Sequence, residues 1–183
     1  MNNEIGYLTD FTALHESMVL DLKSKIKFIK TVEAYDPTSD ETGPQHSLVK
    51  TPAALIELTE LRPGKSLGDG RQSFRCEFIF HCILSTTTKN VELEIRNYAA
   101  AVAKAIHKNR WGFESAVEQP SDIGAYPGVF KSGDKGFESW VVSFSQNIYL
   151  GNIGINEESI PEDVFYSMAP LVGEDNKQAY QKG

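Results

Sequence analysis

The sequence predicts a small α+β domain: a mixed or mainly antiparallel sheet with two helices packed on one face. Three observations predict it. Apolar residues at Phe11, Leu14, Met18, Leu22, Ile26 and Ile29 recur every three or four positions, and Ile95, Tyr98, Ala99, Val102 and Ile106 repeat that spacing. Strict alternation at Phe74, Cys76, Phe78, Phe80, Cys82 and Leu84, and again at Trp140, Val142, Phe144, Gln146, Ile148 and Leu150, marks two long half-buried strands. Dense turn chemistry at Pro63-Gly64 and Gly68-Asp69-Gly70 folds a preceding strand back as an extended hairpin.

In chain order, residues 1–8 read as a short arm. Thr9 or Asp10 caps a helix expected to run to about Lys30, where Lys23, Lys25, Lys27 and Lys30 suit the negative end of the dipole. Thr31 to Tyr35 is an expected first strand. Asp36 to Ser47 is a polar loop carrying the acids Asp36, Asp40 and Glu41. Ala53 to Leu61 reads as a strand between Pro52 and Pro63, and residues 72–86 as its hairpin partner. Asn90 is an expected N-cap for a helix to His107, with Glu92 and Glu94 at its positive end. Five alanines between Ala99 and Ala105 make that helix slim and able to approach a sheet closely. Residues 113–119 are an expected strand, 120–136 an irregular stretch, and Phe137 to Leu150 the last long strand. The division expected is a domain over residues 1–151 and an arm over 152–183. The arm's apolar cluster (Ile160, Val164, Phe165, Tyr166, Met168) is too small for a core and is expected to dock on the domain or on a neighbouring molecule.

Composition bounds the function. With 183 residues and 40% hydrophobic content, the chain can bury a core without metals or disulfides. A net charge of -7 argues against a broad basic nucleic-acid face. No apolar run approaches a membrane span, and the first ten residues lack the pattern of a signal peptide, so a reducing cytoplasm is the expected site of folding. Cys76 and Cys82, on one strand, would lie about 20 Å apart, beyond disulfide reach.

Motifs for chemistry fail on spacing. Cys76, His81 and Cys82 do not converge, because neighbours on a strand face opposite ways. Gly64-Lys65-Ser66 resembles the end of a phosphate loop, but Thr59 stands where its first glycine belongs. Gly151-Asn152-Ile153-Gly154 has no helix after it, and no Gly-x-Ser-x-Gly occurs. Asp122, Asp134 and Glu138 show no pocket-forming pattern. No catalytic, cofactor or metal site is expected. Trp111 in Asn109-Arg110-Trp111-Gly112 reads either as a core plug or as an interface anchor. The second face of the sheet (Arg75, Glu77, Ile79, His81, Val141, Ser143, Ser145, Asn147, Tyr149) is semi-polar and reads as a contact surface.

The chain resembles the tail terminator proteins of tailed bacteriophages, in particular those of Mu-like contractile-tailed phages and prophages. The residues that carry the resemblance are Pro52 with Leu55-Ile56-Glu57-Leu58, the stretch Ala99 to Ile106, Arg110-Trp111-Gly112, Pro120, and Trp140 with Phe144, Gln146 and Leu150-Gly151, within residues 8–151. The resemblance implies an α+β fold with helices on one side of the sheet. It implies a structural, non-enzymatic virion protein at the tail-neck junction, assembled in the host cytoplasm. There a homohexameric ring caps the tail tube, engages the sheath, and meets a neck or connector protein. DNA would pass through the lumen without specific binding.

With that role, the expected contact elements are Asp36 to Ser47 (Asp36, Asp40, Glu41), the hairpin tip Gly64 to Gly70 (Lys65, Asp69), the tail Ile160 to Met168 (Ile160, Val164, Phe165, Tyr166), and Arg110 with Trp111. Two alternatives stand beside it: a neck, head-completion or minor tail protein, and a small cytoplasmic enzyme or ligand-binding domain.

Overall fold

The computed structural model describes residues 7–35, 49–128 and 136–154, residues 175 and 178, and the backbone of 165–166 and 181–182. The chain divides into two compact units, Met1–Asn152 and Ile153–Gly183. The first holds helix α1 (Phe11–Lys25), strands β1 (Thr31–Ala34), β2 (Ala53–Pro63) and β3 (Gln72–Ser85), helix α2 (Val91–Ile106), and strands β4 (Ser121–Pro127) and β5 (Phe137–Leu150). The second holds β6 (Phe165–Tyr166) paired antiparallel with β7 (Gln181–Lys182).

The sheet of the first unit is mixed, in the order β1-β2-β3-β5-β4. β1 pairs with β2 in parallel and the other neighbours are antiparallel. β3 and β5 pair along their full 14 residues, from Gln72 opposite Leu150 to Ser85 opposite Phe137. That register places both alternating apolar sets on one face, because residues directly opposite share a face. The helices cover this face. Leu14, Met18 and Leu22 of α1 and Ile95, Tyr98, Ala99 and Val102 of α2 form one core with Cys76, Phe78, Phe80, Cys82, Val142, Phe144 and Ile148. The two cysteines are free and buried. Burial pushes the Cys76 thiol up to about 12 and raises Cys82 as well, so both stay neutral packing groups.

Asp10 caps α1 by accepting the Ala13 N–H at 3.0 Å. The helix stops at Lys25 rather than near Lys30. Ile26 leaves helical geometry while its side chain stays buried, and the Lys30 and Thr31 N–H groups turn to the Pro52 C=O to start β1. Strand pairing outweighs another turn of exposed lysines. Asn90 holds the N-cap position of α2 in a left-handed conformation and makes no side-chain cap. Its C=O instead accepts the Leu93 and Glu94 N–H groups.

Two further expectations are corrected. Residues 113–119 form tight turns with a single bridge, Val117 to Ile148, because Ala116 and Val117 are drawn into the core. The stretch 120–136, expected to be irregular, contains β4. Gly124 and Pro127 disguised it, yet an edge strand tolerates proline, and the irregularity between Ser121 and Gly124 absorbs the glycine.

Candidate interaction surface

The Asn109-Arg110-Trp111-Gly112 turn is built from backbone strain and hydrogen bonds. Trp111 (φ 56°) and Gly112 (φ 81°) are both left-handed, a conformation costly for a bulky residue and natural for glycine. Hydrogen bonds pin Trp111 from three sides. Its N–H donates to Asn109 Oδ1 at 2.9 Å, its C=O accepts the Ser17 hydroxyl, and its indole N–H donates to Gln146 Oε1 at 2.8 Å. Gln146 Nε2 donates to the carbonyls of Asn109 (2.9 Å) and Glu118 (2.6 Å). Asn109 Nδ2 reaches Asp21 at 2.7 Å, tying in α1. The indole packs beside Phe80 and Phe144 and is 1% exposed. Of the two readings of Trp111, the core plug is the one the structure has; it presents no surface to a partner.

Beside this turn stands the hairpin end. The Arg71 guanidinium, 5% exposed, donates to Asp69 Oδ2 through Nε (2.9 Å) and Nη2 (2.7 Å) and to the Ser115 C=O at 2.7 Å. It lies 5.2 Å over the Tyr149 ring. The Tyr149 hydroxyl donates to Glu118 Oε1, and Asn147 Nδ2 donates to Glu118 Oε2 at 2.8 Å. These bonds, led by that of Tyr149, hold the Glu118 carboxyl below its ordinary 4.5. Burial and the bond to Glu118 push Tyr149 up to about 12. The Arg71 fork likewise lowers Asp69. Gly64, at the hairpin end of β2, is fixed by close approach: a Cβ there would lie 2.3 Å from Ser73 Oγ.

The side of the sheet turned away from the helices, which also carries Tyr149 and Asn147, holds a second polar array farther along β3. Glu57 Oε2 lies 2.7 Å from His81 Nε2, and the His81 ring stacks on Tyr35 at 4.5 Å. Arg75 meets Asp122 at 3.0 Å and Glu77 at 3.5 Å, and the Ser145 hydroxyl donates to Glu77 at 2.6 Å. His81 thus faces away from Cys76 and Cys82. Among the described residues no group of three or more His, Cys, Asp or Glu is placed to hold a metal ion, and no helix is long and apolar enough to cross a membrane. A groove of about 340 Å³ opens between α1 and the β1–β2 edge, lined by Phe11, Leu14, Met18, Ile56, Leu58 and Phe78 with His15 and Glu57.

No protein-family model matches the chain, and no curated protein matches it.

The structure gathers four of the predicted contact residues at one end of the domain. Asp69 is locked to Arg71, and Arg110 donates to the Glu114 C=O at 2.9 Å. Lys65 is exposed, and its charge, like that of Arg110, helps lower Glu118. Trp111 sits beneath them. Asp36, Asp40, Glu41, Ile160 and Val164 lie outside the described residues, and Phe165 and Tyr166 are described only as the backbone of β6. Sequence reasoning missed Arg71, Glu118 and Tyr149 as the framework of this end. The one local signal was Asp69-Gly70-Arg71, a fork-matched pair two residues apart inside a turn. Chemically this end presents Lys65, Arg110, Glu114 and Glu118 on a rigid frame, a surface suited to charged protein contacts.

Proposed function

We propose that this chain is a tail-terminator subunit: a structural protein that closes into a homohexameric ring, caps the end of a phage tail tube and joins it to the neck. The observation that carries this reading is the unlike pair of sheet edges. The strand order leaves β1 and the far half of β2 at one side and β4 at the other. A ring subunit needs two different lateral surfaces, because head-to-tail contacts close a cycle whereas like-to-like contacts stop at a dimer. The resemblance in residues 8–151 supports the same reading. So does the rigid end around Arg71 and Glu118, which offers a further surface for tube, sheath or connector. The net charge of -7 suits a passage that DNA traverses without sticking.

Capping is tested with purified protein and tail tubes under the electron microscope. Binding confined to tube ends, with a six-fold ring, is the expected result. Particles made without the protein should carry tubes of uncontrolled length, detached from heads. Protein that stays monomeric and ignores tube ends would sink the proposal. A second reading, a small ligand-binding domain, is favoured by the apolar groove beside α1. A tight small-molecule complex in that groove would decide for it.

A further inference from the structure

The only Asp-Gly pair in the sequence, Asp69-Gly70, stands at the hairpin end, and no Asn-Gly occurs. An Asp-Gly pair carries a chemical liability. The glycine nitrogen attacks the aspartate Cγ and closes a five-membered succinimide. The N–Cγ bond forms, the Cγ–O bond breaks, and the carboxyl hydroxyl leaves with the glycine N–H proton as water. Glycine favours the attack because no side chain crowds the nitrogen. Water then reopens the ring. Opening at the former main-chain carbonyl leaves the backbone running through Cβ as isoaspartate. One water leaves and one returns, so the mass is unchanged and no oxidant or reductant is needed.

The fold requires the glycine. Gly70 sits at φ 85°, where any side chain is costly. Asp69 Oδ1 accepts the Arg71 N–H at 3.2 Å, which folds the carboxyl forward over the Gly70 peptide. Electrophile and nucleophile are therefore neighbours, and Arg71 is what keeps them from reacting. Its Nε (2.9 Å) and Nη2 (2.7 Å) both grip Oδ2, so three N–H groups fix the carboxyl plane and Cγ cannot turn its face to the Gly70 nitrogen. The fork also lowers the Asp69 carboxyl below its ordinary 3.8, and an ionised carboxylate has no hydroxyl to lose. Arg71 is itself held. Its side chain is 5% exposed, donates to the Ser115 C=O at 2.7 Å and lies over the Tyr149 ring. The Asp69 side chain is 22% exposed, so water for ring opening is at hand.

We propose that Asp69-Gly70 is a latent site of backbone isomerisation to isoaspartate, and that the Arg71 clamp suppresses it. Isoaspartate adds a methylene to the main chain and relocates the carboxylate, so the fork does not reform and the hairpin end loses its tie to Ser115. Arg71 thus both docks the hairpin end and preserves the bond that shapes it. Ser115 and Tyr149 lie far along the chain, so this protection belongs to the folded protein and not to the local sequence. The inference concerns the chain's own chemistry and does not depend on the capping role.

The full chain is aged warm at mildly acid pH. Isoaspartate is counted by enzymatic methylation and located by peptide mapping. A synthetic peptide of residues 67–73, which contains Arg71 but no fold, sets the unprotected rate. Folded wild type should convert at least about tenfold more slowly than the peptide, and the same chain unfolded in urea at the peptide's rate. Arg71→Ala should raise conversion at Asp69 roughly tenfold or more over wild type, with α2 amides still protected to show that the domain is folded. Arg71→Lys should also convert fast, because an ammonium keeps the charge but not the fork. Should Arg71→Ala fail to fold, Arg71→Lys and the comparison of folded with unfolded wild type carry the test. Folded wild type that isomerised as fast as the peptide would overturn the inference. So would a folded Arg71 variant that isomerised as slowly as wild type.

Discussion

On the helix side of the sheet, Phe78, Phe80, Phe144 and Ile148 are buried against α1 and α2, whereas on the opposite side the same strands present Arg75, Glu77, His81 and Asn147, and β2 presents Glu57. The first side is held by volume. Phe78 stacks on Phe144 at 5.2 Å, and Phe80 meets it edge-on at 5.3 Å. The second side is held by pairing, with each of these acids bonded to a neighbour on an adjacent strand. Buried volume sets how stable the fold is. Half-exposed pairs add little stability but define shape and charge, which is what a contact surface needs. Stability and recognition are thus divided between the two faces of one sheet.

The largest test of that division is Trp111→Ala. It removes a fully buried indole and orphans Gln146, so a loss of about 3–5 kcal/mol is expected in denaturant unfolding. Gln146→Leu keeps the volume but strands the indole N–H and two carbonyls, with a loss of at least about 2 kcal/mol expected. If neither change moved the unfolding midpoint, the helix side would not be where stability resides.

Arg71→Ala comes next and acts locally. The hairpin end loses its bonds to Asp69 and Ser115 and its stacking on Tyr149. Amide exchange from Gly64 to Gln72 should speed up roughly tenfold while α2 stays protected. Arg71→Lys should not restore protection, because an ammonium cannot reproduce the fork. Uniform acceleration through the whole domain would show that Arg71 belongs to the core rather than to a local clasp.

Much of the fold was legible because alternation and helical spacing are local signals. Both 14-residue strands and the core stripe of each helix follow from them. What escaped was set by distant partners. β4 exists because β5 offers it an edge, although its own Gly124 and Pro127 speak against a strand. α1 ends early because Pro52, far along the chain, claims the Lys30 and Thr31 N–H groups. The same holds at the contact end. Lys65, Asp69 and Arg110 were visible as charged residues in turns. The frame that orients them joins Arg71 to Ser115 and Glu118 to Tyr149, pairs 44 and 31 residues apart. Trp111 was ambiguous for that reason as well, since its polar partner Gln146 is 35 residues away.

The Glu118–Tyr149 bond gives a pH signature at both extremes. Glu118 is depressed in the folded state, so its contribution is present above 4.5 and is lost as pH falls through the lower folded value. Tyr149 is raised, so its contribution is present below 10 and is lost as pH rises through about 12. Tyr149→Phe should flatten the melting temperature in both windows and leave the neutral plateau slightly lower. Glu118→Gln should flatten the acid window. A wild-type melting temperature that did not change below pH 4.5 would rule out this bond as a contributor.

The smallest effect belongs to the opposite face. Arg75 and Asp122 pair at 3.0 Å, but their side chains are 39% and 72% exposed. Water and salt screen such a pair, and Arg75→Ala should cost less than about 1 kcal/mol, falling toward zero in molar salt. The same substitution changes the charge of the face by one unit, beside Glu77 and Asn147. If that face is a contact surface, Arg75→Ala should alter assembly and its salt dependence while leaving the unfolding midpoint in place. A large loss of stability with unchanged assembly would reverse the roles assigned to the two sides, because a half-exposed ion pair would then outweigh its screening.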